Sequence, residues 1–262
     1  MFRTVDVTRY VLPLREGSSM PALVEADDLG LYVVKFRGAG QGPKALIAEL
    51  LAGELGRALG FDVPELVLVE VDEALAKSEP DPDISDLLEA SVGMNVGLDY
   101  LPGSITFDQI RGPFPSAELA SRILLFDAFI TNVDRTPRNP NLLVWHKKLF
   151  LIDHGAAFYF HHGWSESDRT SGASEPFGLM SSHVLLPFAS ELNDAAEHLA
   201  SVLTSDLVER VVARLPEELL RFAGDFENPD SHRAAYAEWL RARVLALPML
   251  QKEAEHARAS LV

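Results

Sequence analysis

Asn141 and Asp153 stand at the outer ends of two apolar runs, Leu142-Leu-Val-Trp145 and Leu149-Phe-Leu-Ile-Asp153, joined by His146-Lys147-Lys148. With those three residues as the turn of a hairpin, Trp145 faces Leu149 and Asn141 falls opposite Asp153. A carboxamide and a carboxylate at one mouth of a hairpin offer hard oxygen ligands, and Mg2+ takes a few of these together with substrate phosphates. Asp134 lies seven residues before Asn141, in a loop rich in Arg and Pro. A carboxylate there can orient an incoming hydroxyl beside the cation. Asn139, five residues after Asp134, is a second carboxamide within reach of the same cation. Each piece also has a plain reading as a surface turn, because Asn-Pro and Asp-Arg pairs are common in loops.

The order of these residues along the chain narrows the chemistry. A lysine in a strand, Val33-Val34-Lys35, precedes a helix bearing Glu49. A loop aspartate and an asparagine follow much later, and Asp153-His154-Gly155 ends the next strand. This is the part list of a kinase-type phosphotransferase. Lysine binds phosphates and is held by glutamate, the loop aspartate orients the acceptor, and asparagine and aspartate hold Mg2+.

The elements that must position these groups are legible from pattern. Val5 to Leu14, Ala22 to Ala26 and Leu31 to Phe36 read as a three-stranded meander with a Gly-Ser-Ser tip between the first two strands. Leu46, Ile47, Leu50, Leu51 and Leu55 recur at helical spacing over Pro43 to Leu59. Strands are predicted at Val63 to Val71 and Gly93 to Tyr100, with a polar loop over Lys77 to Asp86. Beyond Pro115 the chain turns helical. Ser116 caps a helix running to about Thr131, and further helices fall at Ser190 to Thr204, Asp206 to Leu215 and His232 to Leu247. Gly163 to Pro176 reads as an open polar loop, and disorder is expected only around Glu79 to Ser85 and at the C-terminus. The expected class is α+β, with a β-rich N-lobe over residues 1–103 and a mainly helical C-lobe over 104–262. Asp127, inside an apolar helix, needs partners. It reads as a structural brace for the Asp134 loop, through backbone N–H groups or Arg135.

Composition excludes other classes. The 262 residues are 47% hydrophobic and 24% charged, a soluble globular profile. The formal net charge of −16 argues against nucleic acid and anionic membrane surfaces as partners. Cysteine is absent, which removes thiol nucleophiles, Cys-ligated zinc and iron–sulfur clusters and points to the cytoplasm. No apolar run approaches the roughly 20 residues of a spanning helix, and the first residues lack the layout of a secretory signal. His161, His162 and His183 have no carboxylate at zinc spacing and read as structural or surface residues.

The segment Asn132-Val-Asp134-Arg135-Thr-Pro-Arg-Asn-Pro-Asn141-Leu-Leu resembles the N-x-D-R-x-x-x-N stretch of HipA-like kinases, which are related to the phosphatidylinositol 3/4-kinase group. Phe126-Asp127-Ala128-Phe129-Ile130 before it and Leu151-Ile-Asp-His-Gly155 after it fit the same pattern, as does Glu49 to Pro64. The resemblance implies a bilobal kinase fold that binds ATP and Mg2+, some relatives phosphorylating serine or threonine in proteins. It implies that Gly17, Ser18 and Ser19 form the phosphate-holding loop, and it favours Glu49 over Glu54 as the partner of Lys35. In kinase folds the strand before the helical lobe holds adenine, which here is Asn95, Val96, Gly97, Leu98, Asp99, Tyr100 and Leu101. Two features depart from the family. Thr136 stands where a histidine usually follows Asp-Arg, and the family's five-residue spacing selects Asn139 as the metal asparagine. The hairpin register favours Asn141 instead, because Pro140 restricts Asn139 to extended conformations. The expected function is ATP- and Mg2+-dependent phosphoryl transfer to a hydroxyl acceptor. A nucleotide-binding pseudokinase scaffold and an AMP-transferring enzyme stand as alternatives.

Overall fold

Valines at every second residue organise the first part of the chain. The computed structural model describes residues 1–14, 20–40, 42–164, 166–224 and 226–261. Its first strands are β1 (Arg3–Pro13), β2 (Ala22–Ala26) and β3 (Leu31–Lys35), followed by helix α1 (Gly42–Ala58) and strand β4 (Leu66–Val71). Two short helices, α2 (Glu73–Ser78) and α3 (Pro82–Ala90), lead into β5 (Gly93–Asp99). The five strands close into a barrel in the order β1-β2-β3-β5-β4. The antiparallel meander of β1, β2 and β3 is as expected. The closure is not, because β1 pairs in parallel with β4, with Val5 opposite Val69. Val5, Val7, Val24, Val34, Val67, Val69 and Val71 share one buried cluster, while Leu66 and Leu68 of β4 join a second that includes α1. This is the period-2 alternation of a strand with two different buried faces.

Helix α1 is buried along most of its length, including Glu49. It approaches the barrel so closely that a Cβ on Gly53 would lie 2.5 Å from Leu66 Cδ1. The predicted loop over Lys77 to Asp86 is corrected to parts of α2 and α3. Asp72 accepts from Ala74 N–H and Asp81 from Asp83 N–H, and Pro82 sits in the first turn of α3. These caps suit short helices whose polar faces stay wet while Leu87 and Leu88 join the barrel cluster.

The chain leaves the barrel after Asp99 and enters a second, three-stranded sheet through β6 (Ile105–Thr106). Helix α4 (Ala117–Phe129) follows, with Ser116 accepting from Leu119 N–H as its cap. The second sheet is completed by β7 (Leu142–Trp145) and β8 (Lys148–Leu151). Then come α5 (Leu192–Val202), α6 (Ser205–Val212), α7 (Glu217–Ala223), α8 (Pro229–Leu245) and α9 (Leu247–Ala259). Helix α7 has no counterpart among the predicted elements, and α9 replaces the disorder expected at the C-terminus. Leu247, Leu250 and Ala254 of α9 are buried in the core shared with α1, α4 and α5. The polar composition of this segment belongs to its outer face. The mixed helix and strand content agrees with the α+β expectation. Among the described residues, no helix is long and apolar enough to cross a membrane.

Candidate active site

Lys35 ends β3, paired with Val96 of β5, and is 6% exposed. Its Nζ donates to Glu49 Oε2 and to Asp153 Oδ1, both at 2.5 Å. Burial pulls the ammonium toward deprotonation, but the charges of Glu49 and Asp153 outweigh it and hold Lys35 above the usual lysine range. Burial likewise opposes ionisation of Glu49, yet Lys35 and the His154 contact bring its pKa down to about 2. Glu54 lies elsewhere, ion-paired with Arg214 of the α6–α7 connection. The choice of Glu49 over Glu54 as the residue that meets Lys35 therefore agrees with the geometry.

Glu49 has a further task that spacing did not reveal. Its Oε2 accepts the backbone N–H of His154 at 2.8 Å, and Oε1 lies 3.3 Å from the His154 ring Nδ1. The carboxylate thus grips the residue directly after Asp153. Asp153 itself has φ +55° and keeps 41% of its side chain exposed. Only the place of His154 beside Asp153 in the sequence pointed to it.

The hairpin register differs from the expected one by one residue. Trp145 pairs with Lys148 and Leu142 with Leu151, and the Ile152 N–H donates to Asn141 O at 3.1 Å. Asn141 therefore faces Ile152 rather than Asp153. The cause is a two-residue turn in which His146 and Lys147 have φ +47° and +66°. Such a turn matches the twist of the strands, but neither residue type advertises it.

Asn139 also differs from expectation. Reciprocal backbone bonds between Thr136 and Asn139 fold the loop back despite Pro140. Asn139 Nδ2 then donates to Asp134 Oδ2 at 2.8 Å, while Asn141 Nδ2 is 3.4 Å from the same oxygen. Asn139 is exposed and Asn141 is buried. Burial raises the pKa of Asp134 and nearby Asp153 adds to the rise, against the hydrogen bonds from Asn141 and Asn139.

Beneath this loop Asp127 is fully buried. Its Oδ2 accepts from Arg135 Nε at 2.5 Å and lies 2.9 Å from His183 Nε2, and its Oδ1 accepts from Asn132 Nδ2 at 2.8 Å. Burial opposes its ionisation, but Arg135 and His183 hold its carboxyl far below the ordinary range. Arg135 in turn donates through Nη1 to the carbonyl of Asn141. The expected brace through Arg135 is present. The histidine in it, 56 residues away, was not foreseen.

These groups meet in a cleft of about 740 Å³ lined by Lys35, Asp134, Asn139, Asn141 and Asp153, with Val33, Leu98, Leu143 and Ile152 as apolar surface. Asp99, Tyr100 and Leu101 also line it. Asn95, Val96 and Gly97 do not: Val96 is buried in the core cluster that includes α1, a Cβ on Gly97 would meet Val67 and Val69, and Asn95 is buried. Asn95 accepts from Arg37 N–H and donates to Ser91 and Gly93 carbonyls. Gly17, Ser18 and Ser19 lie outside the described residues, but Leu14 and Pro21 on either side of them line the cleft. Among the described residues no cluster of His, Cys, Asp or Glu forms a metal site by itself.

Residues 7–171 match the HipA-like kinase family. No curated protein matches the chain. Among solved structures, the proinflammatory kinase CtkA of Helicobacter pylori is similar at TM-score 0.57 and 12% identity, over 97% of this chain and 98% of that one. A Golgi casein kinase with Mn and ADP bound is similar at TM-score 0.45 and 12% identity, over 94% of this chain and 73% of that one.

Proposed function

Because the chain belongs to the HipA-like kinase family, we propose that it transfers the γ-phosphate of ATP, with Mg2+, to a hydroxyl group, protein serine and threonine among the acceptors. The observation that carries this reading is the Lys35 ammonium, 2.5 Å from both Glu49 and Asp153, in a cleft that Asp134 also lines. Residues 1–103 serve as an N-lobe and 104–262 as a C-lobe, in keeping with the passage of the chain from barrel to second sheet between Asp99 and Ile105. ATP lies between them. The cleft lining supports narrowing the adenine segment to Leu98, Asp99, Tyr100 and Leu101, with Val33 and Ile152 as apolar neighbours. Lys35 holds the α- and β-phosphates and Glu49 holds Lys35. Gly17, Ser18 and Ser19, outside the described residues, remain the proposed phosphate-binding residues.

Asp153 and Asn139 are the proposed cation ligands. Asp153 Oδ2 has no protein partner among the described residues, and Asn139 is exposed with its Nδ2 turned to Asp134. An all-oxygen donor set fits a hard divalent cation. Bound there, Mg2+ would neutralise charge on the phosphate oxygens. Asn141, whose carbonyl serves Arg135 and Ile152, shapes the loop. Asp134, with its raised pKa, takes the acceptor proton. The acceptor oxygen bonds to the γ-phosphorus, the bond from that phosphorus to the β–γ bridging oxygen breaks, and ADP leaves. The formal charge of −16 supports an acceptor that is neither a nucleic acid nor an anionic membrane surface.

Product analysis with Mg2+ and ATP tests the reading. ADP formation is expected, and Asp134→Asn should slow it by roughly 10²- to 10⁴-fold while Mg·ADP binding persists. Transfer of AMP would replace this chemistry with nucleotidyl transfer. Binding without turnover would leave a scaffold.

A further inference from the structure

Arg138 lines the same cleft as Asp134, Asn139 and Asp153. Its backbone sits in the turn closed by the Thr136 N–H to Asn139 O bond at 3.0 Å and the Asn139 N–H to Thr136 O bond at 3.1 Å. Pro137 and Pro140 flank it and stiffen that turn. The loop is further pinned by Arg135 to buried Asp127 and by Asn139 to Asp134. The side chain of Arg138 is exposed, and among the described residues its guanidinium has no hydrogen bond or ion pair.

The charge balance of the cleft gives this arginine a task. Asp99, Asp134 and Asp153 line the cleft, and Lys35, the other cation among its described lining residues, already serves Glu49 and Asp153. Among the described residues, a triphosphate entering such a cleft meets one cation shared between two carboxylates and one cation with no partner. A guanidinium offers five N–H donors in a planar fork that matches two phosphate oxygens at once. We propose that Arg138 binds the γ-phosphate of the nucleotide, donating to its non-bridging oxygens beside Asp134 and stabilising the phosphoryl group in transfer. This rests on the phosphoryl-transfer reading above. In the step, the arginine keeps all its protons: the acceptor proton goes to Asp134 and the leaving electron pair to ADP.

The position of the guanidinium makes a prediction that does not depend on turnover. A group on the γ-phosphate distinguishes a triphosphate from a diphosphate. Binding of Mg·AMP-PNP and Mg·ADP to the full chain, measured by calorimetry for wild type, Arg138→Ala and Arg138→Lys, provides the test. Arg138→Ala should weaken Mg·AMP-PNP by roughly 10- to 100-fold, the range of a charge-assisted hydrogen bond, and leave Mg·ADP within about twofold. Arg138→Lys should recover part of the loss, because it restores charge without the fork. Unchanged AMP-PNP affinity in Arg138→Ala would overturn the proposal, and so would equal weakening of both nucleotides, which would mark a loop-shaping role. Failure of the unaltered chain to bind either nucleotide would overturn the phosphoryl-transfer reading itself, and this proposal with it.

Discussion

Two buried carboxylates of this kinase have the same kinds of neighbours but sit in clusters of different exposure. Glu49 has Lys35 and His154; Asp127 has Arg135 and His183. Both carboxylates are completely buried, and both are held ionised against the cost of burial by a cation and a histidine contact. The Asp127 cluster is closed: its arginine is 1% exposed and its histidine 4%. The Glu49 cluster opens to the cleft, because Lys35 also binds Asp153, whose side chain is 41% exposed. A closed cluster can only brace. An open one has a member whose partner can be exchanged for a ligand. What separates the brace from the candidate site here is whether one edge of the network reaches solvent.

The largest expected effect tests the closed cluster. Asp127→Ala leaves Arg135 buried without its carboxylate, which should cost about 3–5 kcal/mol in urea unfolding. Set against the roughly 5–15 kcal/mol of a typical domain, that loss leaves little stability. A cost under about 1 kcal/mol would show that the brace is dispensable. Glu49→Gln should behave differently. It keeps the shape and a donor or acceptor for His154 but loses the ion pair with Lys35. Its ATP turnover should fall by roughly 10- to 100-fold, as for one lost charged hydrogen bond, with a smaller stability loss than Asp127→Ala. Equal stability losses in the two variants would erase the distinction between them.

A smaller contrast lies between Asn141 and Asn139. Asn141 has φ +48° and gives its carbonyl to Arg135, so Asn141→Ala should lower stability by about 1 kcal/mol through backbone strain. Asn139→Ala should leave urea unfolding nearly unchanged and weaken the Mg2+ dependence of nucleotide binding. The reverse pattern would return the metal role to Asn141.

The smallest effect is a change of slope with pH. The Glu49 pKa falls from 4.5 to about 2 on folding. The stability it contributes is complete above pH 4.5 and is lost as pH drops toward 2, where the folded state also binds the proton. Glu49→Gln should therefore flatten the urea midpoint against pH across that window. Asp127→Asn should flatten it too, and further into acid, because Asp127 is held lower. A Glu49→Gln curve parallel to wild type would mean that the Glu49 charge is not coupled to folding.

Much of the candidate site is legible in local spacing. Asp134, Asp153, Lys35 and Glu49 occur in an order that phosphoryl-transfer chemistry recognises, and Ser116, as a cap, marks the start of α4. Helix α1 was found from its leucines because a buried stripe repeats within the helix itself. The α2 and α3 helices are not legible there, because their turn-forming Asp and Pro residues are also helix-starting residues, and the barrel that Leu87 and Leu88 cover is remote in sequence.

The sequence by itself determined which groups were available for chemistry and where most strands and the long helices α1, α4 and α8 lie, because those signals lie within a few residues of one another. Tertiary structure alone decided which groups meet. Glu49 finds the His154 N–H across 105 residues, and Lys35 finds Asp153 across 118. The parallel pairing of β1 with β4 closes the barrel, and no pattern inside either strand encodes that choice. The one-residue shift of the hairpin was set by left-handed backbone at His146 and Lys147, where glycine, asparagine or aspartate would be the usual signal. A local pattern fixes periodicity. Register and partnership are decided by the lowest free energy of the whole packed chain, in which a burial or an ion pair far away outweighs a local preference of about 1 kcal/mol.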